Sequence, residues 1–208
     1  MFGLLGLMIA FTFSGAGERL DRRRAQIVDE ANAVGTAWYR LDLLPADAQP
    51  ALRDAMRRYV DSRIATYHKF TTEGADAARA EYNRSSAIQK EIWAKTVDVS
   101  RNNMQATLLL LPALNEMFDI AATRLAATMM HPPAIVYVVL EILSLACGFL
   151  VGYEMGGSTT PSPTHIIVLT LLLSAMLYVI LDFEYPRMGL IRIDDFDQLM
   201  VQVRASMG

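Results

Sequence analysis

The chain has 208 residues, a net charge of −3, 53% hydrophobic residues and one cysteine. With 19 Lys and Arg against 22 Asp and Glu and no long basic run, a nucleic-acid partner is excluded. The lone Cys147 excludes intrachain disulfides and cysteine metal clusters. His68, His131 and His165 stand far apart without a ligand-like residue at i+4, so no metal and no cofactor is expected. Enzyme signatures are missing as well: there is no phosphate-cradling glycine loop, HExxH, nucleophile elbow or zinc pattern.

Charge is unevenly spread. Most of it lies between Glu18 and Arg124, whereas the start of the chain and residues 134–181 carry almost none, the pattern of a membrane protein with a sizeable soluble part. The opening "MFGLLGLMIAFTFSGAG" has an apolar part of about 15 residues, short for a crossing that takes roughly 20. As a secretory signal it would offer Ser14-Gly15-Ala16 for cleavage, but no Lys or Arg precedes its apolar core. Residues 1–16 are therefore read as a first membrane helix. "ERLDRRR" follows at once, and the excess of arginine places it in the cytoplasm, with the N-terminus outside.

Residues 17–132 read as a helical cytoplasmic domain. Leu20, Ile27, Val28, Ala31, Val34, Trp38 and Leu41 recur at helical spacing, with charge on the other face. Pro45 and Pro50 mark a break, after which Leu52, Met56, Tyr59, Arg63 and Tyr67 begin a second amphipathic helix. "TTEGAD" predicts a turn. A third periodic stretch runs from about Ala75 to Met130 and should kink at Pro112; if helical throughout it would be roughly 80 Å long. Within it, "TLLLLPAL" (107–114) is apolar all round and calls for cover on every side, from its own protomer or from a neighbouring subunit.

"PAIVYVVLEILSLACGFLVGY" (133–153) and "THIIVLTLLLSAMLYVILDF" (164–183) are each long enough to span a bilayer, and "EMGGSTTPSP" between them is a polar loop. Residues 133–183 are thus predicted to form a transmembrane hairpin, and residues 184–208 a tail returning to the cytoplasm. The expected architecture is all-α: about three transmembrane helices, a helical cytoplasmic domain and assembly as an oligomeric ring.

One carboxylate, Glu141, sits inside the hairpin's first apolar run. It shares a side with Ser144 and Gly148, which with Gly152 and Gly156 make a repeat of small residues every four positions. That spacing predicts a close helix neighbour and turns Glu141 toward protein. Charge in the hydrocarbon is costly, so Glu141 is either a protonated hydrogen-bonding group or part of an ion or proton pathway.

Three stretches, "EANAVGTAWYRLDLLP" (30–45), "LLLPALNEMFDIAATR" (109–124) and "DFEYPRMGLIRI" (182–193), resemble the bestrophin-like family of bacterial membrane proteins and lie in that family's order over most of the chain. The resemblance implies what bestrophins are: pentameric anion channels with a helical cytoplasmic region and an apolar, aromatic-lined neck.

On that expectation Phe2, Gly6, Ile9 and Phe13, which share one face of the first helix, are the candidate neck; the alternative is that they face lipid or the hairpin. Thr12 and Ser14 offer hydroxyls near the mouth or bond back to their own helix. Arg22, Arg23 and Arg24 either line a vestibule and concentrate anions or serve only as topogenic charge. Asn32, Arg40 and Asp42 in the first motif, and Asn115, Glu116, Asp119 and Arg124 in the second, read as polar groups that fix helix register or subunit contacts, or alternatively gate the pore or bind ions. No EF-hand spacing supports calcium. The expected partners are further copies of the chain, bacterial inner-membrane lipid and small inorganic ions. The competing classes are a non-conducting membrane scaffold or sensor that recruits partners through its helical bundle, and an embedded enzyme, which would have to pair Glu141 with His165.

Overall fold

A computed structural model describes residues 1–101, 103–157 and 163–208. Among these residues the chain forms seven α-helices and no strand: α1 (Phe2–Arg40), α2 (Gln49–Thr72), α3 (Ala75–Ser100), α4 (Met104–Met129), α5 (Ala134–Gly156), α6 (Pro163–Glu184) and α7 (Asp194–Ser206). The chain divides into two compact units. An apolar unit comprises Met1–Arg22 with Met130–Ile191, and a charged unit comprises Arg23–Met129 with Arg192–Gly208. α1 is one unbroken helix across that division.

The helix ends follow from local chemistry. α1 tightens into a 3-10 turn at Leu41–Leu43, and Leu44 is extended, the conformation forced on a residue before proline. Pro50 sits in the first turn of α2, where its missing N–H costs nothing. α2 closes on Gly74, whose φ of 97° needs a residue without a Cβ, and the Glu73 and Gly74 amides both donate to the Lys69 carbonyl.

The expected continuous rod over 75–130 is corrected. α3 ends at Ser100 and α4 begins at Met104, so the helix is interrupted there and not at Pro112, and α3 and α4 fold back on each other. Polar capping decides this. Asn103 Oδ1 accepts the Ala106 amide, and Thr107 Oγ1 donates to the Ser100 carbonyl at 3.0 Å. Pro112 stays inside α4. The carbonyl of Leu109, three residues before it, accepts Arg40 Nη1 at 2.7 Å, an outside donor at a turn that lacks one of its own amides.

In the charged unit one core joins Val34, Ala37 and Leu41 of α1 to Leu52, Met56 and Tyr59 of α2. Ile88 and Ile92 of α3, Leu110, Leu114 and Met117 of α4, and Met200 complete it. Each fully buried Val, Leu, Ile or Met among them stabilises the fold by roughly 1.5–3 kcal/mol. α7 belongs to this core, so the segment predicted as a tail is in part a packed helix. Leu108 remains 64% exposed, so the run "TLLLLPAL" is covered on one side only.

In the apolar unit Leu5, Ile9 and Ala16 of α1 pack with Leu140 and Cys147 of α5 and Ile180 of α6. Elsewhere these helices turn large apolar side chains outward, including Leu145, Phe149, Ile167 and Leu171. In water such a surface would be a liability; it matches a hydrocarbon surround. Two stretches are long and apolar enough to cross a membrane, Met104–Gly156, whose nearly uncharged part is α5, and Thr164–Glu184. The apolar start of α1, Phe2–Gly17, reaches only about 24 Å at 1.5 Å per residue. Of the predicted loop between α5 and α6, residues 158–162 lie outside the described residues.

Candidate functional site

In the apolar unit, the face predicted for a neck is split. Phe2 and Gly6 are exposed, but Ile9 is 8% exposed, and Phe13 packs on the protomer's own apolar cluster with its ring 5.3 Å from that of Phe183. Both therefore face inward, held by the returning helix α6. The uncovered stripe of α1 lies on the opposite side: Leu4, Leu7 and Phe11, then Ser14, Glu18 and Arg22, at steps of three or four. Phe11 is the most open of its apolar members, at 69%. Thr12 is buried and donates to the Met8 carbonyl at 2.7 Å, bonding back to its own helix.

Among the described residues the small-residue repeat on α5 has no close neighbour: a Cβ added at Gly148, Gly152 or Gly156 would meet nothing within 4 Å, so the helix contact predicted from this spacing is not made there. Ser144 donates to the Leu140 carbonyl, and Glu141 is exposed on the same open side.

At the end of α6 the third motif builds two devices. Asp182 Oδ2 accepts the amides of Leu190 and Ile191, so the chain turning out of the helix is capped by the helix's own carboxylate. Gly189 lies so close to Asp182 Oδ1 that no side chain fits there. Glu184, with its side chain fully buried, receives the Arg19 guanidinium and lies 3.3 Å from His131 Nδ1, whose ring stacks on Tyr185. Neither Arg19 nor Glu184 stood out in the sequence, because residues 165 positions apart give no local signal.

In the charged unit, Arg23 is buried and donates to the Ala127 carbonyl. Arg24 lies over the Phe196 ring at 5.5 Å. Arg22, in the apolar unit, pairs with Glu18. Each of the three arginines read as vestibule or topogenic charge thus has a contact of its own.

The two polar motif groups separate by role. Arg124 turns inward with Arg63 onto Glu30, and Arg124 also reaches Asp197 of α7. Tyr67 completes the network, with Arg124 4.0 Å above its ring. Burial raises a carboxyl's pKa, but the two guanidiniums reverse this and hold Glu30 below its ordinary value. Burial pushes the Tyr67 phenol up to about 12. Glu30 and Arg63 are the functional-looking residues that periodicity missed: Arg63 reads as part of an apolar stripe until its partner is known. Asp42 pairs with Arg53 at the surface. Asn32, Asn115, Glu116 and Asp119 come together, with Asp29, Thr36, Pro112 and Thr123, around an open groove of about 740 Å³ between α1 and α4.

A family model for the bestrophin-like domain matches residues 3–195. Among solved structures, the crystal structure of a point-mutated bacterial bestrophin homologue from Klebsiella pneumoniae superposes with a TM-score of 0.69 at 14% identity, over 98% of this chain and 87% of that one. No curated protein matches the sequence.

Proposed function

The chain belongs to the bestrophin-like family, and from that premise we propose that copies of it form a ring, a pentamer by resemblance, that conducts small inorganic ions through the bacterial inner membrane. The uncovered stripe of α1 supports this reading more than any other single observation. It runs from Leu4, Leu7 and Phe11 to Ser14, Glu18 and Arg22, an apolar-to-polar gradient along a face that its own protomer leaves open. Repeated around an axis, its first half makes an apolar constriction that controls wetting, and its second half a polar mouth.

In this reading the N-terminus lies outside, α1 adds a third crossing to α5 and α6 by shortening its span or thinning the bilayer, and the charged unit surrounds a cytoplasmic vestibule. The family resemblance implies anions as the permeant species. Purified protein in nanodiscs should have the mass of several copies, and in liposomes it should pass chloride. Sodium flux without chloride flux would remove the anion assignment. A multimer that passes neither ion would leave the scaffold reading in its place.

A further inference from the structure

α3 and α4 each leave one face uncovered, and the middle of the α3 face is opposite in charge to the α4 face. On α3 the exposed positions Arg79, Asn83, Ala87, Lys90 and Ala94 recur at helical spacing and carry only positive charge, with Asp76 and Asp98 exposed one turn beyond either end. Among the described residues neither Arg79 nor Lys90 has an ion-pair partner. On α4, Leu108, Pro112, Glu116, Asp119 and Thr123 are exposed along one side, and the Glu116 and Asp119 carboxylates likewise have no ion-pair partner among the described residues. One protomer thus presents a basic stripe with small residues and an acidic groove rimmed by bulky apolar ones.

A two-fold contact would set each surface against its own copy, like charge against like. A head-to-tail contact sets the stripe against the groove, and head-to-tail contacts are those that close into rings. Rotation about an axis along the helices leaves the height of every residue unchanged. Counting from the α3–α4 junction at 1.5 Å per residue, Lys90 lies about 15 Å and Glu116 about 18 Å along their helices. Ala94 at about 9 Å falls between Leu108 and Pro112 at about 6 and 12 Å.

We infer that the exposed face of α3 in one copy seats in the α1–α4 groove of the next, with Lys90 against Glu116 and Ala94 between Leu108 and Pro112. The inference rests on the ring reading above and names the surfaces that would build it.

The test compares full-length wild type, Lys90→Glu, Glu116→Lys and the double exchange in nanodiscs, by particle mass against concentration. Each single reversal should weaken assembly on the order of tenfold or more, and the double exchange should restore it. A second arm co-expresses Lys90→Cys and Glu116→Cys chains with different tags in a Cys147→Ala background. Oxidation should give a disulfide-linked pair carrying both tags, and this arm decides if a charge reversal lowers helicity. A wild-type ring that both reversals leave intact, with no mixed-tag pair, overturns the assigned contact while the ring stands. Wild type found only as single copies overturns the ring reading and the contact with it.

Discussion

Arg124 donates to Glu30 across 94 residues of sequence, and both side chains are shut away from water. Arg63 approaches the same carboxylate from α2, with its Nε 2.6 Å from Glu30 Oε1. Two arginines on one glutamate leave an excess positive charge, which Asp197 of α7 offsets at 3.3 Å. Removing Arg124 leaves Glu30 with one guanidinium in place of two and takes a buried charged hydrogen bond from the network. Arg124→Ala should destabilise the charged unit by about 1.5–3 kcal/mol, read as a lowered urea midpoint by circular dichroism. A change no larger than that of an exposed Arg58→Ala control would show that the network contributes little.

The same carboxylate sets a pH dependence. Glu30 has a lower pKa folded than unfolded, so its contribution is complete above the unfolded value of about 4.3 and disappears as pH falls through the folded one. Stability should therefore change little from pH 7 to about 5 and then drop. Glu30→Gln, already less stable at neutral pH, should drop less steeply. Parallel acid profiles for the two proteins would count against this assignment.

Gly189 and Asp182 make a tighter test. A methyl group at 189 must displace the carboxylate that caps Leu190 and Ile191, because its Cβ would overlap Oδ1. Gly189→Ala should cost roughly 1–3 kcal/mol, and it should cost much less in an Asp182→Ala background, where the obstruction is gone. Full additivity of the two changes would remove the clash as the cause.

Phe11 and Phe13 should separate conduction from packing. Phe13 lies on Phe183, so Phe13→Ala should lower thermal stability by about 3 kcal/mol or more while changing ion flux little per folded particle. Phe11 touches little in its own protomer, so Phe11→Ala should leave stability nearly unchanged and raise flux through a less hydrophobic constriction. The reverse pattern would return the neck to the Phe2, Gly6, Ile9 and Phe13 face.

Much of the fold was legible from period and punctuation. Runs 133–153 and 164–183 anticipate α5 and α6 closely, and Pro45, Pro50 and Gly74 stand where the chain breaks. The α3–α4 turn was not legible, because Pro112 is the louder signal and Asn103 starts α4 only through its side chain, which accepts the Ala106 amide. Which face of α1 its own protomer covers was not legible for a related reason. On a helix apolar all round, periodicity gives several equivalent faces, and only the packing of α1 on α5 and α6 chooses among them. Asn32 and Asn115 could be named as polar groups in motifs, but their meeting at one groove is a tertiary fact. Glu30, Arg63 and Arg124 look like ordinary charges until all three are seen buried together.

Cys147 is the chain's only thiol, and it is sealed inside the apolar unit. No sulfur is on hand to bond one copy to the next, so whatever holds copies together has to come from side-chain packing and charge alone.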